Sequence, residues 1–285
     1  MHYLIEAEKE IYSRQKSIAD LCPDAHLTSI NTRVLKLTGS INQKRLKQYC
    51  AENKINFAAL KHGESVANYT LLAMDMDSTL VNIECIDEIA DFLNLKPEVQ
   101  AITEAAMRGE IDFSQSLTRR VALLKGLDAA VLDQVYEQRL QLNPGAENLL
   151  KQIQQRGIHT LLLSGGFTFF TDRLKSRLKL DQAFANELEI RQGKLTGQVM
   201  GPIIDAEGKA QKLKEVAAAQ QMELRNTIAI GDGANDAKLL STAGLSVAYF
   251  GKPVLRDLAR ININQGGLDA IIRLLNDNKN SANQC

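Results

Sequence analysis

The chain has 285 residues, 45% of them hydrophobic, enough for one large or two modest domains with real cores. Its 34 basic and 34 acidic residues balance, so there is no net field to draw nucleic acid or an anionic membrane. Cys22, Cys50, Cys85 and Cys285 show no paired short spacing, against a zinc site and against a disulfide framework.

No apolar run is long enough to span a bilayer, and Met1 to Glu10 lacks the basic start and apolar middle of a signal peptide, so a cytoplasmic protein is expected. Glu8 to Ala19 reads as a polar helix that stops before Cys22-Pro23. Leu27 to Leu37, rich in Thr, Ile, Val and Leu, reads as one strand closed by Gly39. Ser40 then stands as the N-cap of a helix through Leu46 and Tyr49, and Ile55 to Leu60 reads as a second strand. The result is a small α-β-α-β module over residues 1–68 with no catalytic cluster. Its role can be structural, oligomeric or regulatory. His26 and His62 are isolated, and Lys61 to Asn68, polar and containing Gly63, reads as a linker.

Tyr69 to Met74 is a short apolar strand that runs into Asp75-Met76-Asp77-Ser78-Thr79. Two carboxylates spaced i and i+2 therefore sit at a strand's carboxyl end, where open α/β sheets bind ligands. The spacing by itself fits turn and cap residues equally well. Helical spacing begins after Asn82. Ile86, Ile89, Ala90 and Leu93 mark one face; Val99, Ile102 and Ala106 a second; Phe113, Leu117, Val121 and Leu124 a third; Leu132, Val135 and Tyr136 a fourth. About fifty residues of short helices at the mouth of an α/β site are placed to act as a lid. Glu84 at the entrance and Arg120 in the third helix are, on pattern alone, ordinary solvated helix charges.

Asn143-Pro144-Gly145 predicts a helix start, with Asn143 at the N-cap and Gly157 closing the helix. Ile158 to Leu163 is a near-continuous apolar strand leading into Ser164-Gly165-Gly166. Small residues there let backbone N–H groups approach an anion, or simply make a tight turn. His159 inside that strand reads as a core histidine. Leu188 to Arg191 and Lys194 to Val199 flank Gln192-Gly193 as a hairpin. Lys209 opens an amphipathic helix, although a lysine there opposes the helix dipole. Thr227 to Ile230 is another buried strand, running into Gly231-Asp232-Gly233-Ala234-Asn235-Asp236, a run too dense in oxygen ligands for a plain turn. A strand over Leu245 to Tyr249, a helix from Pro253 and a last helix from Leu268 to Leu275 complete the alternation, and Asn276 to Cys285 reads as a frayed tail.

Three strand ends thus carry reactive groups: Asp75 and Asp77, Ser164 and Gly165, and Asp232, Asn235 and Asp236. The chemistry they suit is phosphoryl transfer. Clustered carboxylates suit Mg²⁺, Lys209 offsets phosphate charge, and Ser164 with backbone N–H groups binds phosphate oxygens. One carboxylate can attack phosphorus, and its neighbour can move the proton.

These four ordered motifs resemble those of the haloacid dehalogenase superfamily. Asp75 through Glu88, Phe113 through Leu124, Leu163 through Phe167 and Phe184-Ala185-Asn186 resemble its phosphoserine phosphatase family. The resemblance covers about residues 70 to 275. It implies a Rossmann-like parallel α/β sheet over residues 69–84 and 137–276 with a helical cap over 85–136; it does not inform the accessory α/β module over 1–68, and residues 277–285 are expected to be a flexible tail. It implies Asp75 as nucleophile and Mg²⁺ ligand, Asp77 as general acid/base and metal ligand through its carbonyl, and Asp232 as the third protein ligand. Asp236 would support the metal shell. Ser164, Gly165, Lys209 and Asn235 would hold the phosphoryl group. Glu84 and Arg120 would take the ammonium and carboxylate of O-phospho-L-serine, with Met107 and Phe113 closing the pocket. The implied reaction is Mg²⁺-dependent hydrolysis of a small molecule, the last step of serine synthesis, with no nucleic-acid or membrane partner; a homodimer is compatible with the sequence. A phosphotransferase acting on an amino-acid alcohol shares the motifs. The missing membrane spans dismiss a P-type ATPase, and the intact reactive set argues against an inert amino-acid sensor.

Overall fold

The computed structural model describes residues 1–282, and the side chain of Met107 lies outside the described residues, as does Cys285. The N-terminal segment opens on a strand the sequence reading missed, β1 (His2–Glu6). A 3₁₀ turn and α1 (Gln15–Leu21) follow in place of one helix from Glu8. The single strand expected over Leu27 to Leu37 is a hairpin, β2 (Ala25–Asn31) and β3 (Val34–Gly39). Asn31 makes the turn, its side-chain oxygen accepting from Arg33 N at 2.9 Å, a local bond that competes with the ladder. In α2 (Gln43–Glu52) the N-cap is Asn42, not Ser40: the Asn42 oxygen accepts from Arg45 N at 3.1 Å. β4 (Asn56–Leu60) is wholly buried. Ile5, Ile11, Ile18, Leu35, Leu37, Leu46 and Phe57 form the core of this segment.

β5 (Leu71–Met74) is the strand expected before the first motif. The insertion holds α3 (Cys85–Asp91), α4 (Lys96–Met107), α5 (Phe113–Ala122) and α6 (Ala130–Gln138). Their predicted faces are inside: Ile89, Val99, Leu117, Val121, Leu132 and Val135 are all buried. Each such side chain stabilises the packed helices by about 1.5–3 kcal/mol through apolar burial. The two ends of the insertion are stapled by an antiparallel bridge between Val81 and Leu142. Asn143 belongs to this staple and is not a helix cap, because its amide donates to Thr79 O at 2.9 Å and Val81 O at 3.0 Å. The N-cap of α7 (Ala146–Gln154) is Gly145, at φ 76°, where a Cβ would also meet Asp269.

β6 (His159–Phe167), α8 (Thr168–Leu178), the hairpin β7 (Gln182–Arg191) and β8 (Lys194–Met200), α9 (Ala206–Ala219) and β9 (Thr227–Gly231) follow. The chain continues with α10 (Ala237–Thr242), β10 (Leu245–Tyr249), α11 (Pro253–Leu258), the unforeseen β11 (Ile261–Ile263) and α12 (Ala270–Ala282), which runs past the expected stop at Leu275.

Two compact units result. One comprises Met1–Ala73, Pro144–Thr160 and the chain from Val216 onward; the other comprises Met74–Asn143 and Leu161–Glu215. In the first, strand order is β2-β3-β1-β4-β11-β10-β9-β5. The ladders β9–β10 and β10–β11 are parallel, whereas β4 joins β11 antiparallel, so the N-terminal strands extend the same mixed sheet. Thr70 N donates to Asn226 O at 2.8 Å, setting the starts of β5 and β9 side by side. Both strands therefore deliver their carboxyl ends to one sheet edge. In the second unit β6 pairs with β7 in parallel and β7 with β8 antiparallel. Among the described residues no helix is long and apolar enough to cross a membrane.

Candidate active site

Asp75 follows β5 directly and is 3% exposed. Lys209, in the first turn of α9 and 1% exposed, donates to Asp75 Oδ1 at 2.6 Å. This bond accounts for a lysine at a helix start: the dipole cost is offset by a charge-assisted hydrogen bond to a buried carboxylate. The backbone then turns tightly through Asp77 and Ser78, the latter at φ 56°. Asp77 Oδ1 accepts from Cys85 N at 2.8 Å and Oδ2 accepts from Ser164 Oγ at 3.1 Å.

Ser164, Gly165 and Gly166 are not a turn after β6 but a bulge within it. The β6–β7 register slips between Leu163 and Phe167, which takes their N–H groups out of the regular ladder. Ser164 Oγ accepts from Gly166 N at 2.8 Å while donating to Asp77, so the hydroxyl ties the second motif to the first. A Cβ at Gly165 would lie 2.8 Å from the ring of Phe113, so a larger residue there would have to displace that ring. Phe113 begins α5, whose N-cap Asp112 accepts from Gln115 N at 2.7 Å, and it covers the bulge.

Arg120 lies on α5, about two turns beyond Phe113, and is half-buried. Burial holds its pKa below the usual arginine value, while Asp87, Glu84 and Asp77, in that order, pull it back up. Among the described residues no carboxylate pairs with it, and its Nε donates only to Ser116 O, at 3.4 Å. Glu84 is exposed at the start of α3 and accepts from Ser78 Oγ at 2.7 Å. The same burial that depresses Arg120 pushes the Asp87 carboxyl up, with Arg120 opposing.

Beyond β9, Asp236 is fully buried and its Oδ2 accepts from Asp232 N and Gly233 N, both at 3.2 Å. Asp232 O accepts from Lys252 N at 2.8 Å. Asn235 is half-buried, its amide turned toward Gly233. Asp75, Asp232 and Asp236 are candidate cation ligands, and an all-carboxylate donor set suits a hard ion.

A family model for haloacid dehalogenase-like hydrolases matches residues 72–241. The chain belongs to the haloacid dehalogenase-like hydrolases. It is 51% identical over 215 residues to a phosphoserine phosphatase of Polaromonas sp. (strain JS666), covering 74% of this chain and 91% of that one. A solved haloacid dehalogenase family hydrolase from Salmonella enterica serovar Typhi superposes with a TM-score of 0.86 at 36% identity, covering 97% of this chain and 99% of that one. A structure of a phosphoserine phosphatase carrying an analogue of its phospho-aspartyl intermediate gives a TM-score of 0.68 at 40% identity, over 72% of this chain and 98% of that one.

Within this haloacid dehalogenase-like site, sequence reasoning left one polar residue without a role. Asn186 is 1% exposed on β7. Its amide donates to Gly165 O at 2.9 Å and its oxygen accepts from Ile204 N at 2.7 Å. It therefore fixes the carbonyl side of the Ser164–Gly166 bulge, while Gly166 N donates to Ser164 Oγ. The available signal was an Asn interrupting an extended segment at Ala183-Phe184-Ala185-Asn186, where a buried amide must find partners.

Proposed function

We propose that this chain hydrolyses O-phospho-L-serine to L-serine and phosphate, the last step of serine biosynthesis, in the cytoplasm and with Mg²⁺. An Asp75 carboxylate oxygen attacks phosphorus and the bond to the serine oxygen breaks, leaving an aspartyl-phosphate. Asp77 gives its proton to the departing serine oxygen. It then takes a proton from the water that attacks the same phosphorus, which frees phosphate and restores Asp75. Ser164 and the backbone N–H groups of the bulge bind phosphoryl oxygens, with Lys209 neutralising charge and Asn235 assisting. Asp75, Asp232 and the Asp77 carbonyl would hold Mg²⁺, and Asp236, which braces the Asp232 backbone, would support that shell. When bound, the ion supplies Lewis-acid stabilisation of charge on the phosphoryl oxygens. Residues 85–136 serve as the cap and residues 1–68 as an accessory module.

One observation carries the choice of substrate. Arg120 is a half-buried guanidinium whose pKa burial lowers, with no carboxylate paired to it among the described residues, on the helix whose first residue covers the Ser164–Gly166 bulge. A substrate carboxylate completes it, and Glu84 receives the ammonium. The test is phosphate release from phosphoserine, phosphothreonine, phosphoglycolate and a sugar phosphate, with Mg²⁺ and with EDTA. Strong preference for phosphoserine and no turnover in EDTA are expected; equal rates across the panel would refute the specificity.

A further inference from the structure

Helices α2 and α11 flank a cleft of about 360 Å³ lined by Lys44, Lys47, Gln48, Glu52, Arg256 and Asp257. Lys47 is only 5% exposed. Its ammonium donates to the backbone carbonyl of Asp257 at 2.7 Å and stands 5.7 Å from the centroid of the Phe57 ring. An ammonium has three donors, and among the described residues no carboxylate forms an ion pair with this one. Burial holds its pKa down to about 8, and the Asp257 charge nearby recovers only part of that loss.

The Arg256 guanidinium on α11 is half-buried, and among the described residues it makes no hydrogen bond or ion pair. Lys44 is exposed at the mouth. Of the acidic residues in the lining, Glu52 is engaged by Gln48 Nε2 at 2.9 Å. A buried ammonium and a half-buried guanidinium thus face one cleft, and among the described residues neither is in an ion pair, the Asp257 carboxylate in the same lining offsetting only part of the Lys47 charge. Such an arrangement costs stability unless an anion with fitting oxygens enters. We propose that the cleft is a binding site for a small oxyanion, a phosphate or carboxylate head group, seated between the Lys47 ammonium and the Arg256 guanidinium.

The position gives such a ligand a purchase on the molecule. The α11 helix is capped by Lys252, whose N–H donates to Asp232 O at 2.8 Å, so the helix that offers Arg256 also anchors the Gly231–Asp236 loop. α2 comes from the N-terminal segment, for which the catalytic reading has no use.

The test is a titration of the full chain with inorganic phosphate and, separately, citrate, followed by backbone amide chemical shifts. Saturable shifts are expected along Lys44–Glu52 and Val254–Leu258. The Arg256→Gln variant, whose side chain breaks no internal bond, should weaken them roughly ten-fold, as loss of one charged hydrogen bond does. Phosphate bound at Ser164 and Gly165 gives its own shifts, unchanged in that variant, and so separates the two sites. Tighter binding of phosphate or of citrate assigns the head group. Absence of saturable shifts along α2 and α11, or equal affinity in Arg256→Gln, would overturn the proposal.

Discussion

The floor of the active site and the outer face of the N-terminal segment each bury a lysine, and they keep it in opposite ways. Lys209 is 1% exposed and donates to the carboxylate of Asp75 at 2.6 Å. Lys47 is 5% exposed and donates to a backbone carbonyl. In the first region two charges offset each other in place, so the phosphoryl-transfer machinery is organised before substrate arrives. In the second the charge has no ion-pair partner among the described residues and is offset only in part by the nearby Asp257. Arg120 stands between these cases: like Lys47 it is desolvated without an ion pair, but Asp87, Glu84 and Asp77 surround it. On the readings proposed above, the paired Lys209 belongs to the fixed chemistry, and Arg120 and Lys47 mark places where a ligand would supply charge.

The paired side can be broken most severely at Asp75. Asp75→Asn removes both the proposed nucleophile and the charge that holds Lys209. Turnover of phosphoserine is expected to fall by at least about 10³-fold, the scale on which removal of a covalent nucleophile acts. Trapping the phosphorylated enzyme by acid quench checks the cause, because the variant should give no phospho-aspartate. Turnover through an acid-quenchable intermediate in this variant would remove Asp75 from its role. Chelation ranks next. EDTA should abolish activity and Mg²⁺ restore it, whereas a Mg²⁺-independent rate would contradict the reading of Asp75, Asp232 and Asp236 as a cation site.

Arg120→Ala sharpens the unpaired side. A hydrogen bond to a charged group is worth about 2 kcal/mol, so kcat/KM for phosphoserine should drop roughly 30-fold. A phosphate ester lacking the carboxylate should be far less affected. Equal losses on both would show that Arg120 supports the cap and does not read the substrate. Asn186→Ala is milder. It leaves the Gly165 carbonyl and Ile204 N–H without their partner and should cost about 1–3 kcal/mol of stability, measured by urea unfolding.

The contrast also explains what could be read from the chain. Asp75, Asp77, Ser164 and Asp232 stood out in the sequence because apolar strands run abruptly into glycine, serine and aspartate there. Lys209 even announced itself as a misfit with the helix dipole. Local hydrogen bonds were less legible. Asn31 makes a hairpin turn, Asn42 displaces Ser40 as a cap, and Asn143 staples the insertion, because an Asn side chain chooses among partners that only the folded backbone presents. β1 and β11 escaped because strands at the chain start and of three residues carry no periodicity to count. Asn186 and Lys47 depend on residues far away in sequence: Gly165 is 21 positions from Asn186, and Asp257 is 210 from Lys47.

The smallest expected effect tests the partly compensated lysine directly. The Lys47 pKa is lowered from 10.5 to about 8, with burial as the largest cause. At neutral pH folded and unfolded chains both carry the proton, and the folded state bears the whole cost of a buried charge. As pH rises from about 8 toward 10.5 the folded chain releases the proton first. The unfolded state then binds more protons, and stability from this group rises with pH. Lys47→Met keeps the side chain's length and removes the charge, so it should be the more stable protein at neutral pH, by a few degrees in Tm. That advantage should shrink across the same pH interval. If the variant proves less stable at neutral pH, or its difference from the parent does not change with pH, then Lys47 is compensated within the fold and its likeness to Lys209 is closer than their partners imply.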